Sequence, residues 1–275
     1  MPYPQIINLL NSTAWAILPE KMKVIMDFLS IRLANQTTVP IKAASPRQYS
    51  SPNKKVVVMG MVGTISQRVD MMTEYSGGVS TDSFGKVFDD AVSDPAVKSI
   101  IIDVDSPGGS VYGLEGLTTK IRNARSQKRI IAVANSLMAS AAYYIGSAAT
   151  KIIATPGAQV GSIGTIAVHV DQSKAMEDAG LKYTFITAGK YKALGNDSEP
   201  LSEDALEYYQ GMVEQYYDMF ISAVSSGRGI SKQKVKEDYG SGKLLSAKDA
   251  LKVGMIDQIR TFEEVVNAEY RRYQR

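Results

Sequence analysis

Short apolar runs rich in β-branched residues alternate with helical patterns along most of the chain. Residues 56–61, 100–104, 130–133, 152–154, 163–170 and 183–186 read as strands. Between them, residues 81–92, 112–124, 139–149 and 172–179 carry helical periodicity. Strand and helix alternating in this way predict parallel strands joined by helical crossovers, an α/β fold. A long helix is expected from Glu203 to about Ser225, with Tyr208, Tyr209, Tyr216 and Tyr217 packing in a core or a subunit interface. Residues 246–273 predict a helix, a turn at Gly254, a short strand and a second helix.

Ahead of this domain, Met22, Val24, Ile25, Met26, Phe28, Leu29, Ile31 and Leu33 predict a helix over 20–34, entered through Pro19. Pro40, Pro46 and Pro52 then mark residues 36–53 as a linker. The expected division is a helical extension over 1–35, the linker, and a main domain over 54–275. Asn11, Pro19, Lys21 and Asp27 interrupt the N-terminal apolar stretches well short of the ~20 residues a membrane span needs. The reading is neither signal peptide nor anchor, which places the protein in the compartment where it is made.

Composition narrows the chemistry. The 275 residues are 44% hydrophobic and 21% charged, ordinary for a globular protein with a sizeable core. Basic and acidic residues, 31 against 28, are interspersed, so no basic patch points to nucleic acid. The absence of cysteine removes thiol catalysis and thiolate metal sites, and the single histidine, His169, cannot build a multi-histidine metal site. A catalytic base would have to be His169, a carboxylate or a lysine.

Three segments stand out. Asp105-Ser106-Pro107-Gly108-Gly109-Ser110 follows a buried-looking strand, and its paired glycines suit either a tight turn or backbone N–H groups aimed at an oxyanion. Ser140, in Ser136-Leu137-Met138-Ala139-Ser140-Ala141-Ala142-Tyr143-Tyr144, stands where a strand gives way to a helix of small residues. It reads as a cap, or as a nucleophile if a base reaches it. Gly189-Lys190-Tyr191-Lys192-Ala193-Leu194-Gly195 places two lysines in a glycine-flanked loop. A lysine base would have to leave water, since its ordinary pKa is about 10.4.

In this order the segments resemble the signal peptide peptidase A family of serine proteases, whose fold is shared with the Clp protease and crotonase superfamily. The likeness runs from about Lys54 to Gln258. It implies Ser140 as nucleophile, followed by Tyr143 and Tyr144, and the second lysine, Lys192, as base. Gly161-Ser162-Ile163-Gly164 matches a further family segment, implying that Ser162 orients the lysine. The turn from Ser106 to Gly109 is implied to supply oxyanion donors from Gly108 or Gly109, with the Ala141 N–H as partner. Ala250, Gly254, Met255, Ile256 and Asp257 resemble the closing motif. Two features depart from the pattern: Ala141 and Ala142 stand where glycine is common, and the membrane-spanning N-terminus of the cellular enzymes is missing.

Asn11-Ser12-Thr13-Ala14-Trp15-Ala16-Ile17-Leu18-Pro19-Glu20 and Glu199-Pro200-Leu201-Ser202 resemble the phage head proteins of this family. That branch implies a capsid-maturation protease acting in the prohead or host cytoplasm on scaffold and portal-associated proteins, as a homo-oligomer whose sites can be completed across subunits. The implied chemistry is acyl transfer between Ser140 and neutral Lys192 with no metal or organic cofactor. The family's narrow apolar pockets imply small or aliphatic residues before the cut, and the exposed linker is a candidate for self-cleavage. Rival readings are a Ser-His pair using His169, an acyl-CoA enzyme of crotonase type, a cellular peptidase acting on signal peptides, and a non-catalytic oligomer that assembles on a portal or scaffold.

Overall fold

The computed structural model describes residues 10–11, 14–34, 48–51, 53–69 and 77–274, without the side chains of 28–34. Most of the expected linker, residues 36–47 and Pro52, lies outside the described residues. The elements in chain order are β1 (Trp15–Ile17), α1 (Pro19–Ala34), β2 (Gln48–Ser50), β3 (Val56–Val62), β4 (Ile65–Ser66) and β5 (Val79–Ser80), followed by α2 (Thr81–Ser93), β6 (Ser99–Ser106), β7 (Gly108–Ser110), α3 (Leu114–Ala124) and β8 (Arg129–Ala139). Then come α4 (Ala141–Gly146), β9 (Lys151–Ala154), β10 (Gln159–Gly161), α5 (Ser173–Asp178), α6 (Glu203–Arg228), α7 (Lys232–Asp238), β11 (Leu244–Ser246), α8 (Ala247–Val253), β12 (Gln258–Ile259) and α9 (Phe262–Arg272).

The expected α/β architecture is present. Strands β3, β6 and β8 run parallel side by side. Strand β8 is long enough to fork: residues 131–134 pair with parallel β9, and residues 137–139 with parallel β10. Antiparallel β2 and β11 flank this sheet. The strands are apolar at nearly every position because both faces are covered. Val57, Met59, Ile100, Ile102, Ile130 and Ala132 join a core with Phe84, Phe88, Leu117 and Ile121 of α2 and α3. Their alternates Val56, Val58, Ile101, Ile131 and Val133 pack with Val265 of α9 on the other side. Glu269 ties α9 down from a buried position, accepting from Ser99 Oγ at 2.9 Å and Arg129 Nε at 3.1 Å.

A second, smaller sheet stands where β6 ends, in the order β1-β7-β4-β5. Gly109 lies between Ala16 on one side and Ile65 on the other. A Cβ on Gly109 would overlap the Ile65 carbonyl, so only glycine allows the three strands to close. Ligand sites in open parallel sheets lie beyond the carboxyl ends of the strands, and this small sheet rims that edge.

Three elements differ from the sequence reading. Residues 163–170 form no strand beyond an antiparallel bridge from Ile166 to Trp15, and residues 183–186 are irregular. Among the described residues, that bridge to Trp15 is the only β pairing either segment makes. The helix expected over 139–149 is confined to α4, because Ala139 still belongs to β8. Strand β1, which joins the N-terminal extension to the sheet system, and helix α7 are present without a matching expectation from sequence.

Candidate active site

Ser140 is the single residue between β8 and α4. Its backbone has φ +51° and ψ −119°, and its N–H donates to the Gly161 carbonyl at 2.7 Å. A non-glycine residue in that region is strained, and such strain persists only where the surroundings enforce it. Here the enforcement is visible on both sides. Ala141 and Ala142 are completely buried, and the Tyr143 hydroxyl donates to the Met255 carbonyl at 2.9 Å. Full burial pushes the Tyr143 phenol well above its ordinary value, so it stays protonated as a donor. Tyr144 packs its ring against Phe220 of α6, with centroids 5.1 Å apart.

The Ser-Pro-Gly-Gly turn meets this corner directly. Gly108 has φ +100°, and its N–H donates to Ser106 Oγ at 3.2 Å. A Cβ built on it would overlap the Ala16 carbonyl oxygen and come 2.9 Å from Ser140 Cβ and 3.1 Å from the Ala141 nitrogen. The turn, the serine and the first N–H of α4 therefore converge on one point. That N–H belongs to the helix start, where no intrahelical acceptor exists.

Ser162 comes to the same place from the neighbouring strand. It follows β10, has φ +53°, is buried, and donates its N–H to the Lys243 carbonyl at 2.8 Å. With Ile17, Gly164, Glu214, Tyr217 and Gly242 it lines a cleft of about 350 Å³. The Ser140 hydroxyl sits 3.5 Å from the Gly164 carbonyl, a long and weak contact. The Gly240-to-Lys243 loop that forms one wall was not singled out from sequence, although its two glycines in a polar run were a turn signal.

Lys192 makes no hydrogen bond to Ser140 among the described residues. It is exposed in a turn-rich loop where its N–H donates to the Gly189 carbonyl. Its neighbour Lys190 pairs with Asp204 at 3.4 Å, in the first turn of α6. The Ser162–Thr165 segment meets α6 further along, where Thr165 Oγ1 donates to the Val213 carbonyl at 2.8 Å. At 1.5 Å per residue, Asp204 and Val213 are about 13 Å apart along the helix. His169 is partly buried, and its Nε2 contacts the Asn196 carbonyl at 3.0 Å.

Among known proteins, the model of peptidase family S49 matches residues 122–272, which spans the serine, the Gly-Ser-Ile-Gly segment and the lysine loop. The chain belongs to peptidase family S49. It is 31% identical over 213 residues to capsid assembly protease C of Escherichia phage lambda, covering 78% of this chain and 48% of that protein. It is 31% identical over 222 residues to protease 4 of Haemophilus influenzae, covering 80% of this chain and 35% of that protein. The chain thus spans half or less of the length of these two relatives. A solved structure of a ClpP1 mutant from Listeria monocytogenes is 16% identical, with TM-score 0.45, covering 76% of this chain and 93% of that one.

The segment 250–257 has a structural task. Asp257 accepts from the Ile152 N–H at 2.7 Å and from both Arg228 amino nitrogens at 3.0 and 2.9 Å. Burial works against the Asp257 charge, but the Arg228 and Ile152 hydrogen bonds outweigh it and hold the carboxyl below its usual range. This clamp joins β9, the end of α6 and the Met255 carbonyl that anchors Tyr143. Among the described residues, no cluster of three or more His, Cys, Asp or Glu is placed to hold a metal, and no helix is long and apolar enough to cross a membrane.

Proposed function

We propose that this S49 member is a serine endopeptidase in which Ser140 attacks a peptide carbonyl and Lys192 of a neighbouring copy takes the hydroxyl proton. The carrying observation is the convergence of Ser140, Gly108 and the Ala141 N–H at one strained corner. A nucleophile on a tight strand-to-helix turn, beside backbone N–H groups, is the arrangement acyl transfer requires. The oxyanion would lie between the Ala141 N–H and the Gly108–Gly109 backbone, with Ser162 orienting the lysine amine in the adjoining cleft.

The segment that carries Lys192 supports its delivery from another copy. Leu181, Tyr183, Phe185 and Tyr191 are about half exposed, and Ile186 is 97% exposed. A run of exposed apolar side chains of this size is the mark of a surface meant to be covered. Covering it with another subunit would also take the lysine amine out of water, the condition for a lysine base. The likeness to capsid assembly protease C supports head-protein processing during phage assembly as the biological task. Scaffold and portal-associated proteins are the corresponding partners, and the prohead or host cytoplasm the corresponding place.

Mixing two inactive variants tests the shared site. Ser140→Ala and Lys192→Ala subunits, co-assembled, are expected to regain peptidase activity that neither has alone, because some interfaces then pair an intact serine with an intact lysine. Failure of co-assembled hetero-oligomers to regain any activity would contradict delivery from a neighbour.

A further inference from the structure

A nucleophile has to meet its substrate, yet Ser140 is only 1% exposed. The chain's own N-terminal segment runs beside it, with the Ala16 carbonyl oxygen and Ser140 Cβ both against the Cβ position of Gly108. Strand β1 lies antiparallel to β7, with Trp15 opposite Ser110, Ala16 opposite Gly109 and Ile17 opposite Gly108. The Leu18 N–H donates to the Pro107 carbonyl at 3.0 Å, and the Val111 N–H to the Ala14 carbonyl at 3.2 Å. Antiparallel pairs alternate, so the Gly109 N–H faces the Ala16 carbonyl between these two bonds. On its other side Trp15 exchanges both backbone hydrogen bonds with Ile166, each 2.9 Å. The segment is an extended peptide held between two backbone edges.

Its register places one peptide group at the chemistry. The Ala16 carbonyl oxygen lies over the Gly108 Cα, against the point shared by Ser140 Cβ and the Ala141 nitrogen. Ala16 also lines a cleft of about 330 Å³ with Val111, Leu114, Tyr144 and Phe220, which its methyl leaves largely unfilled. Beyond Ile17 the cleft beside Ser162 opens. Trp15 fastens the segment by packing with Ile17, Met22 and Met26, and against Ile166 and Val168.

We propose that Ala14-Trp15-Ala16-Ile17-Leu18 is a resident pseudosubstrate: it fills the peptide cleft by strand pairing, presents the Ala16 carbonyl to Ser140, and keeps the site closed until it is displaced. The proposal rests on the peptidase reading. It assigns the substrate as a segment bound in extended form between residues 108–110 and Ile166, with a small side chain at the nucleophile. Main-chain hydrogen bonds supply the binding, as in strand addition generally. A tethered strand competes at high effective concentration, so external peptides bind only when it leaves.

The full chain contains no cysteine, which allows a clean lock. Ala14→Cys with Val111→Cys pairs residues whose hydrogen-bonded register sets their Cα atoms about 5.5 Å apart, within disulfide range. Three forms are compared: this variant oxidised, the same variant reduced, and full-length Trp15→Ala. Each is assayed for fluorophosphonate labelling of Ser140 and for binding a fluorescent peptide of the sequence of residues 12–19. Oxidation is expected to cut labelling and peptide binding about tenfold or more, reduction to restore both, and Trp15→Ala to exceed the reduced form. Failure of the cysteines to link, or equal labelling and binding by locked and reduced protein, would overturn the proposal. Peptide binding that follows the lock while no form is labelled would leave the pseudosubstrate standing and remove the peptidase reading.

Discussion

The Cα of Gly108 lies so close to the Cβ of Ser140 that a methyl on the glycine would come within 2.9 Å of it. Two residues 32 positions apart in the sequence thereby form one corner, and the contact explains why the turn after β6 needs glycine at its first paired position.

Gly108→Ala is expected to lose activity on two grounds. Its φ of +100° is unfavourable for alanine, and the new methyl would push the turn away from Ser140 and the Ala141 N–H. Loss of oxyanion geometry lowers turnover by roughly 100-fold or more. Peptide hydrolysis or the rate of Ser140 labelling measures it, with circular dichroism to establish that the sheet persists.

Strain at Ser140 gives a stability prediction of opposite sign to its effect on activity. Ser140→Gly and Ser140→Ala both remove the hydroxyl, but only glycine relaxes the positive φ. The glycine variant should be more stable than the alanine variant by about 1 kcal/mol, read from urea midpoints. Equal midpoints would mean that the backbone at 140 carries no strain.

The Asp257 clamp predicts the acid limb of stability. Its carboxyl is held below its ordinary value in the folded chain, so its contribution is complete above the unfolded-state pKa of about 3.9 and is lost as pH falls through the lower folded value. Asp257→Asn should cost about 2 kcal/mol at neutral pH through weaker bonds to Arg228 and Ile152. It should also flatten the fall in stability below about pH 4. Urea unfolding at a series of pH values compares the two proteins.

The His169 Nε2 is engaged by the Asn196 carbonyl at 3.0 Å. His169→Ala should keep peptidase activity within about threefold, far from the losses of roughly 100-fold or more that follow removal of a general base. Loss of activity by a folded His169→Ala protein would revive a Ser-His mechanism.

Much of the fold was legible because both faces of the central sheet are covered, which wrote β3, β6, β8 and β9 into the sequence as unbroken apolar runs. The corner at Ser140 was legible as a motif, since paired glycines and a serine at a strand end are local features. The lysine loop was legible as a segment but not as a position: Lys190, Tyr191 and Lys192 are exposed, and no local pattern tells where an exposed loop carries its side chains. Strand β1 was not legible. Three residues, Trp15–Ile17, are too few for a periodic signal, and what makes them a strand is the pair of backbone edges at Gly108–Ser110 and Ile166. The expected strand over 163–170 failed for the converse reason, having the residues for β structure and a single bridge to pair with.

Intact-mass analysis of wild type, Ser140→Ala and Lys192→Ala, each folded and incubated with a fluorophosphonate and a peptide substrate, addresses the Ser140–Lys192 assignment most directly. Wild type alone is expected to gain one probe mass, at Ser140, and alone to cleave. Labelling at another residue, or cleavage by Lys192→Ala at the wild-type rate, would contradict it.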